Sequence, residues 1–215
     1  LPVVMCLDRG GLVGEDGVTH HGVFDMAAFG AVPGLTIAAP MNEPELRNMM
    51  YTALGSGHPF MIRYPRGHGE GLPWRGEKFE TLPVGRGRRL REGADVALLT
   101  VGTVGNAAAR AAGRAAAEGV SVAHYDLRFV KPLDEALLDE VGRKFRRVVT
   151  VEDGSLRGGV GEAVAAFFNG RGYDVRVQRL GIGDEWVEHG TPGQLYALCG
   201  YDEEGILRAL LDTRA

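Results

Sequence analysis

Short apolar and β-branched runs alternate with helix-patterned stretches along most of this chain, and few folds tolerate that order. The runs are "PVVMCL" at 2–7, "LTIAAP" at 35–40 and "PFMIRYP" at 59–65, then "VALLTVG" from 96, "VSVAHYDL" from 120, "VVTVED" from 148 and "VRVQRLGI" from 175. Strands separated by helices are βαβ units, which close into a parallel sheet covered by those helices. The expected fold class is therefore α/β. Helices are expected at about 106–118, 134–145, 160–170, 192–198 and 203–212.

The clearest helix start is "NEPE" at 42–45. Asn42 can cap, Pro44 suits the first turn, and Glu45 can complete a capping box. Leu46, Met49, Met50, Ala53 and Leu54 then recur at helical spacing, which predicts one buried apolar stripe. The pattern breaks from 67 to 94, where Gly, Pro and charged residues crowd around one short apolar run. That stretch reads as a linker between two α/β modules. The expected division is 1–68, 69–94 and 95–215, with the first module incomplete.

Composition narrows the function classes. Over 215 residues, 45% are hydrophobic, 24% are charged and the formal net charge is -4. This is an ordinary globular balance, with no general attraction to nucleic acid or anionic membrane. The basic runs "RGRRLR" at 86–91 and "RKFRR" at 143–147 read as solvated surface. Two cysteines far apart, Cys6 and Cys199, argue against a disulfide framework or a zinc site and fit a reducing cytoplasm. No signal peptide and no apolar stretch of about 18 residues is legible. The chain opens on Leu-Pro and enters a strand at once, so an upstream part is expected.

In open parallel sheets, ligands bind outside the carboxyl ends of the strands. Two features stand there. The first is "RGGLVGEDGVTHHG" at 9–22, with glycines at 10, 11, 14, 17 and 22. Those glycines allow close backbone approach and leave Arg9, Asp16 and His20 free to face a cleft, where an imidazole could move protons. A surface loop with solvated histidines is the alternative. The second is "RYPRG" at 63–67, in which Pro65 stops the ladder and Arg66 should stand clear, suited to phosphate. "GGVGEAV" at 158–164 looks like a dinucleotide fingerprint but has Val164 at the third glycine position, and reads as a packed helix start. No thiol or carboxylate spacing completes a metal site with His20 or His21.

"DRGGLVGEDGVTHHGVFD", "APMNEPELRNMM", "IRYPRG", "DLRFVKPLD" and "VVTVEDG", in that order, resemble the family of 1-deoxy-D-xylulose-5-phosphate synthases, within the transketolase-like group. The resemblance implies the latter part of a pyrimidine-binding domain followed by a transketolase-type carboxy-terminal domain. It implies a thiamine-diphosphate- and Mg2+-dependent, decarboxylating condensation of pyruvate with glyceraldehyde 3-phosphate. The product would feed isoprenoid precursor, thiamine and pyridoxal synthesis.

Residue by residue, His20 matches the family's active-site histidine, Arg9 and Arg66 match arginines that hold substrate phosphate, and Asp16 matches the acid beside them. His21 stands where many relatives have glutamine and receives no role. The family's magnesium–diphosphate motif and its activating glutamate are not in this sequence. The cofactor grip is therefore expected in an amino-terminal part of the same enzyme, and the chain alone is expected to be inactive. A homodimer is expected, with no nucleic-acid or membrane partner. Transketolase itself, a 2-oxo-acid dehydrogenase β subunit and a non-catalytic dimer-assembly module are the alternatives.

Overall fold

A computed structural model describes residues 1–76 and 78–212. In chain order the elements are β1 (Val4–Leu7), α1 (Asp25–Gly30), β2 (Thr36–Ala38), α2 (Glu43–Leu54), β3 (Phe60–Arg63), β4 (Arg88–Arg91), β5 (Val96–Val101) and α3 (Val104–Ala117). There follow β6 (Val122–Asp126), β7 (Phe129–Lys131), α4 (Glu135–Lys144), β8 (Arg147–Ser155), α5 (Val160–Gly170), β9 (Arg176–Ile182), α6 (Pro192–Leu198) and α7 (Glu203–Leu211).

Two sheets result. The first has the order β1-β3-β2-β7, with β1, β3 and β2 parallel and β7 antiparallel to β2. The second has the order β4-β6-β5-β8-β9, parallel except for β4. Its central strand β5 is buried along its whole length. Val96 and Leu98 face the alanines of α3, Ala108, Ala111, Ala112 and Ala115. Ala97 and Leu99 face Leu138, Val164 and Phe168 from the other side. Alternate side chains thus feed two cores, and helices cover both faces as a parallel sheet requires.

Three features were not foreseen. The short helix α1 has six residues, too few to display a helical period. Strand β4 lies inside the stretch read as linker and pairs with β6. Strand β7, three residues of "RFVK", leaves the second module and pairs with β2 of the first. Glu77 of that linker stretch and residues 213–215 of the expected second module lie outside the described residues.

The stripe predicted on α2 is rotated. Asn42 does accept from the Glu45 amide at 3.1 Å. The buried positions, however, are Glu45, Asn48, Met49, Thr52 and Ala53, whereas Met50 and Leu54 are exposed. Polar bonding decides this. Glu45 Oε1 accepts from Arg128 and from Arg88, Thr52 Oγ1 accepts from the Leu82 amide, and Asn48 accepts from the Glu80 amide. The face turned inward is the one whose polar groups find partners across the interior.

Candidate functional site

Strands β1 and β3 run parallel and end together, and their exits are joined by backbone bonds. The Tyr64 amide donates to Leu7 O at 3.0 Å, and the Gly10 amide donates to Tyr64 O at 2.8 Å. Arg9 occupies the left-handed region at φ 58 and turns the chain out of the sheet. The loop then returns on itself, with the Gly11 amide donating to Gly22 O at 2.8 Å and the Gly22 amide to Arg9 O at 3.1 Å.

This closure brings three of the four expected residues together. Arg66, just beyond β3, pairs through Nη1 with Asp16 Oδ2. Arg9 Nη2 lies 4.0 Å from the same oxygen. All three side chains are about a third exposed or more, so the pairs contribute only about 0–1 kcal/mol each to the fold. Two guanidiniums around one carboxylate leave a surplus positive charge. Arg9 Nε is buried without a hydrogen-bond partner among the described residues, a donor still to be used. Such an arrangement suits an anion.

His20 does not join them. It stands exposed on the loop, its Nδ1 2.9 Å from Thr19 Oγ1. His21 points the other way. Its Nδ1 accepts from the Val13 amide at 3.1 Å, and its Nε2 lies 3.5 Å from Glu188 O in the second module. Arg66 also lines a cavity of about 710 Å³ between the modules, with Asn42, Tyr64, His68, Arg110 and Tyr196. That cavity does not reach Arg9, Asp16 or His20 in its lining, so Arg66 is the residue the two places share.

The floor of the loop was not anticipated from sequence. Asp153 of β8 is buried, and its Oδ1 accepts from the Leu12 amide at 3.1 Å and from the Tyr201 hydroxyl at 2.6 Å. Arg63, also buried, donates from Nε to Asp25 at 2.7 Å and from Nη2 to the backbone oxygens of Asp153 and Gly22. Burial pushes the Asp153 carboxyl upward, and Arg63, Tyr201 and the Leu12 amide oppose it. The signal for Asp153 was an acidic pair, Glu152-Asp153, at the end of an otherwise apolar strand run.

Glu152, with Ser155 and Thr150 beside it, leaves no room for a side chain at Gly159 or Gly161. Its carboxylate accepts from the amides of Val160 and Gly161, both at 2.8 Å, and so fills the amino terminus of α5. A Cβ on Gly159 would lie 2.4 Å from Glu152, and one on Gly161 2.5 Å from Thr150. The position a dinucleotide phosphate would take is thus occupied by the protein's own acid. Among the described residues no cluster of three His, Cys, Asp or Glu side chains could hold a metal ion.

Two family patterns match the chain. The pyrimidine binding domain of transketolase matches residues 1–70, and the C-terminal domain of transketolase matches residues 85–206. The chain belongs to the transketolase family. Among curated transketolase-family proteins it is 57% identical over 216 residues to a 1-deoxy-D-xylulose-5-phosphate synthase of Bacteroides fragilis, covering 100% of this chain and 33% of that protein. The corresponding synthase of Bacteroides thetaiotaomicron is 56% identical over 213 residues, covering 98% and 33%. A solved transketolase, described as a split gene transketolase in an inactive β4 tetramer, superimposes with a TM-score of 0.85 at 28% identity, covering 97% of this chain and 65% of that one. The chain therefore spans about a third of the length of the curated relatives it matches. Among the described residues no helix of this transketolase-family chain is long and apolar enough to cross a membrane.

Proposed function

We propose that this chain is the carboxy-terminal part of a 1-deoxy-D-xylulose-5-phosphate synthase and carries the acceptor side of its active site. The observation that carries the reading is the pair of guanidiniums, Arg9 and Arg66, flanking Asp16 at the carboxyl ends of two adjacent parallel strands. The identity to the Bacteroides synthases supports it. In this reading residues 1–68 are the latter part of a pyrimidine-binding domain, 69–94 a linker whose last part adds β4 to the sheet of the carboxy-terminal domain, and 95–215 that domain.

The roles follow from charge and reach. Arg9 and Arg66 bind the phosphate of glyceraldehyde 3-phosphate, an anion for which a guanidinium offers paired donors. Asp16 holds both arginines in place before the phosphate arrives. His20, exposed on the loop beside Thr19, gives a proton to the aldehyde oxygen as the new carbon–carbon bond forms. Pyruvate is the donor substrate, and 1-deoxy-D-xylulose 5-phosphate and carbon dioxide are the products, for isoprenoid precursor, thiamine and pyridoxal synthesis.

Thiamine diphosphate with Mg2+ is the cofactor of this reading and supplies the electron sink for decarboxylation. The described residues do not fit its magnesium and diphosphate: they offer no cluster for the metal, and Glu152 fills the glycine-rich start of α5. The grip is assigned to an amino-terminal part of the enzyme, and the chain by itself is inactive. A cytoplasmic homodimer belongs to the same reading.

Arg66→Ala in the full-length enzyme tests it. Because Arg66 lies at a wet rim, its loss should cost about 1–2 kcal/mol, or roughly 5- to 30-fold in KM for the aldehyde. The KM for pyruvate should stay within about twofold. Equal rises for both substrates would make Arg66 structural and remove the basis for the reading.

A further inference from the structure

The loop at 9–22 has little secondary structure of its own: isolated bridges join Gly10 and Gly11 to Gly22, and turns cover its tip. Turn bonds from the Gly17, His20 and His21 amides shape its tip, and the second module holds the loop from beneath through a buried side chain. Asp153 Oδ1 takes the Leu12 amide, which lies between Arg9 and Asp16, at 3.1 Å. The same oxygen takes the Tyr201 hydroxyl at 2.6 Å. The backbone oxygen of Asp153 accepts from Arg63 Nη2 at 2.9 Å, and that nitrogen also donates to Gly22 O at 3.2 Å. Asp153 thus reaches the loop directly at Leu12 through its carboxylate, and at Gly22 by way of Arg63 through its backbone oxygen.

The contact is close on every side. Asp153 is 4% exposed and Tyr201 1% exposed. A Cβ on Gly11 would lie 1.7 Å from Asp153 Oδ2, so the loop backbone rests directly on the carboxylate. A buried carboxylate is expensive to desolvate, and it persists only where its hydrogen bonds are complete. Here its donors are a loop amide and a tyrosine placed just before α7. Strand β8 pairs with β5 as far as Glu152 and with β9 as far as Val151, with a shift of register before Ser155, so Asp153 stands where both ladders give out and its side chain turns to the loop.

We infer that Asp153, with Tyr201 as its donor, is a positioning residue that sets the loop carrying Arg9, Asp16 and His20 at the height where Arg9 and Arg66 can share one phosphate. The inference rests on the function proposed above. Asp153 touches no substrate; it acts through the Leu12 amide.

The test uses the full-length enzyme as wild type, Asp153→Ala, Asp153→Asn and Tyr201→Phe. Hydrogen exchange is followed in peptides spanning 10–16 and, for comparison, in β8. The KM is measured separately for pyruvate and glyceraldehyde 3-phosphate. Asp153→Ala should speed exchange in 10–16 about tenfold or more while β8 stays protected, and should raise the aldehyde KM about tenfold with pyruvate within twofold. Asp153→Asn, which keeps an oxygen for both donors, should recover most of both effects. Unchanged loop exchange, parallel rises in both KM values, or no recovery by asparagine would overturn the inference. Should Asp153→Ala fail to fold, Tyr201→Phe decides it: faster exchange confined to 10–16 supports the inference, and unchanged exchange refutes it. A wild type that does not condense these substrates would refute the proposed function, while the exchange measurement would still decide whether Asp153 sets the loop.

Discussion

Replacing Gly11 by alanine perturbs the junction of the two modules at a single atom, and its cost can be worked from the geometry. Gly11 sits at φ +85, where the left-handed region costs a residue with a Cβ about 1–2 kcal/mol. The added Cβ would lie 1.7 Å from Asp153 Oδ2 and 2.1 Å from its Cγ, and contacts under 3.0 Å are essentially never made. The carboxylate must retreat and lose the Leu12 and Tyr201 bonds, each leaving a buried donor at about 1–3 kcal/mol. The sum is about 3–8 kcal/mol, comparable with the whole stability of a domain.

In an Asp153→Ala background those bonds are already gone and the space is open. Gly11→Ala should then cost only the left-handed term, about 1–2 kcal/mol. Gly34→Ala, at φ +72 with nothing within 4 Å of the added Cβ, serves as the control for that term. The assay is urea unfolding of the full-length protein, each variant alone and the pair together. A coupling of about 2–6 kcal/mol is expected. If the two changes add to within about 0.5 kcal/mol, the carboxylate is not what excludes the Cβ and the reasoning fails.

His20→Ala should slow condensation about 10²–10⁴-fold in single-turnover measurements with little change in stability, whereas His21→Ala should lower stability by about 1 kcal/mol with a much smaller effect on rate; the reverse order would move the catalytic role to His21. Glu152→Gln places an amide N–H against the Val160 or Gly161 amide, so thermal unfolding should show a loss of about 1–3 kcal/mol, and a change under 0.5 kcal/mol would refute the capping role of that carboxylate. Two buried groups of β6 should tilt the pH dependence of stability in opposite directions. Burial and the Glu45 carboxylate push Asp126 up to about 7 against Arg88, so its contribution is lost as pH rises from about 4 to about 7. Burial, Arg88 and Arg91 hold His124 down at about 4, so its contribution is lost as pH falls from 6.5 to about 4. Relative to wild type, Asp126→Asn should therefore make the slope of stability against pH more positive across that interval and His124→Asn should make it more negative, each by at most about 1.4 kcal/mol per pH unit. Changes of slope of the same sign in the two variants would refute the assignment.

What the sequence by itself determined were the features written in neighbouring residues. The seven apolar runs each became a strand of one of the two sheets, Asn42 became a helix cap, and the helix starts of the second module fell within a few residues of their expected places. These depend on period and capping, which act over one or two turns. The place of the two guanidiniums just past strand ends was legible for the same reason: Pro65 and the loop glycines mark where the strands stop.

Tertiary structure alone decided which surfaces meet. The buried face of α2 turned toward Glu45, Asn48 and Thr52 because their bonding partners lie up to 83 residues away, and no helical period records a distant acceptor. Strand β7 joined the first sheet because β2 offered an open edge, a fact of pairing rather than of propensity. Asp153 and Leu12 are 141 residues apart, and nothing local in "VED" distinguishes an acid that caps a helix from one that holds a loop. Glu152 and Asp153 took those two roles because successive side chains of a strand point to opposite faces, one toward α5 and the other toward the loop of the neighbouring module.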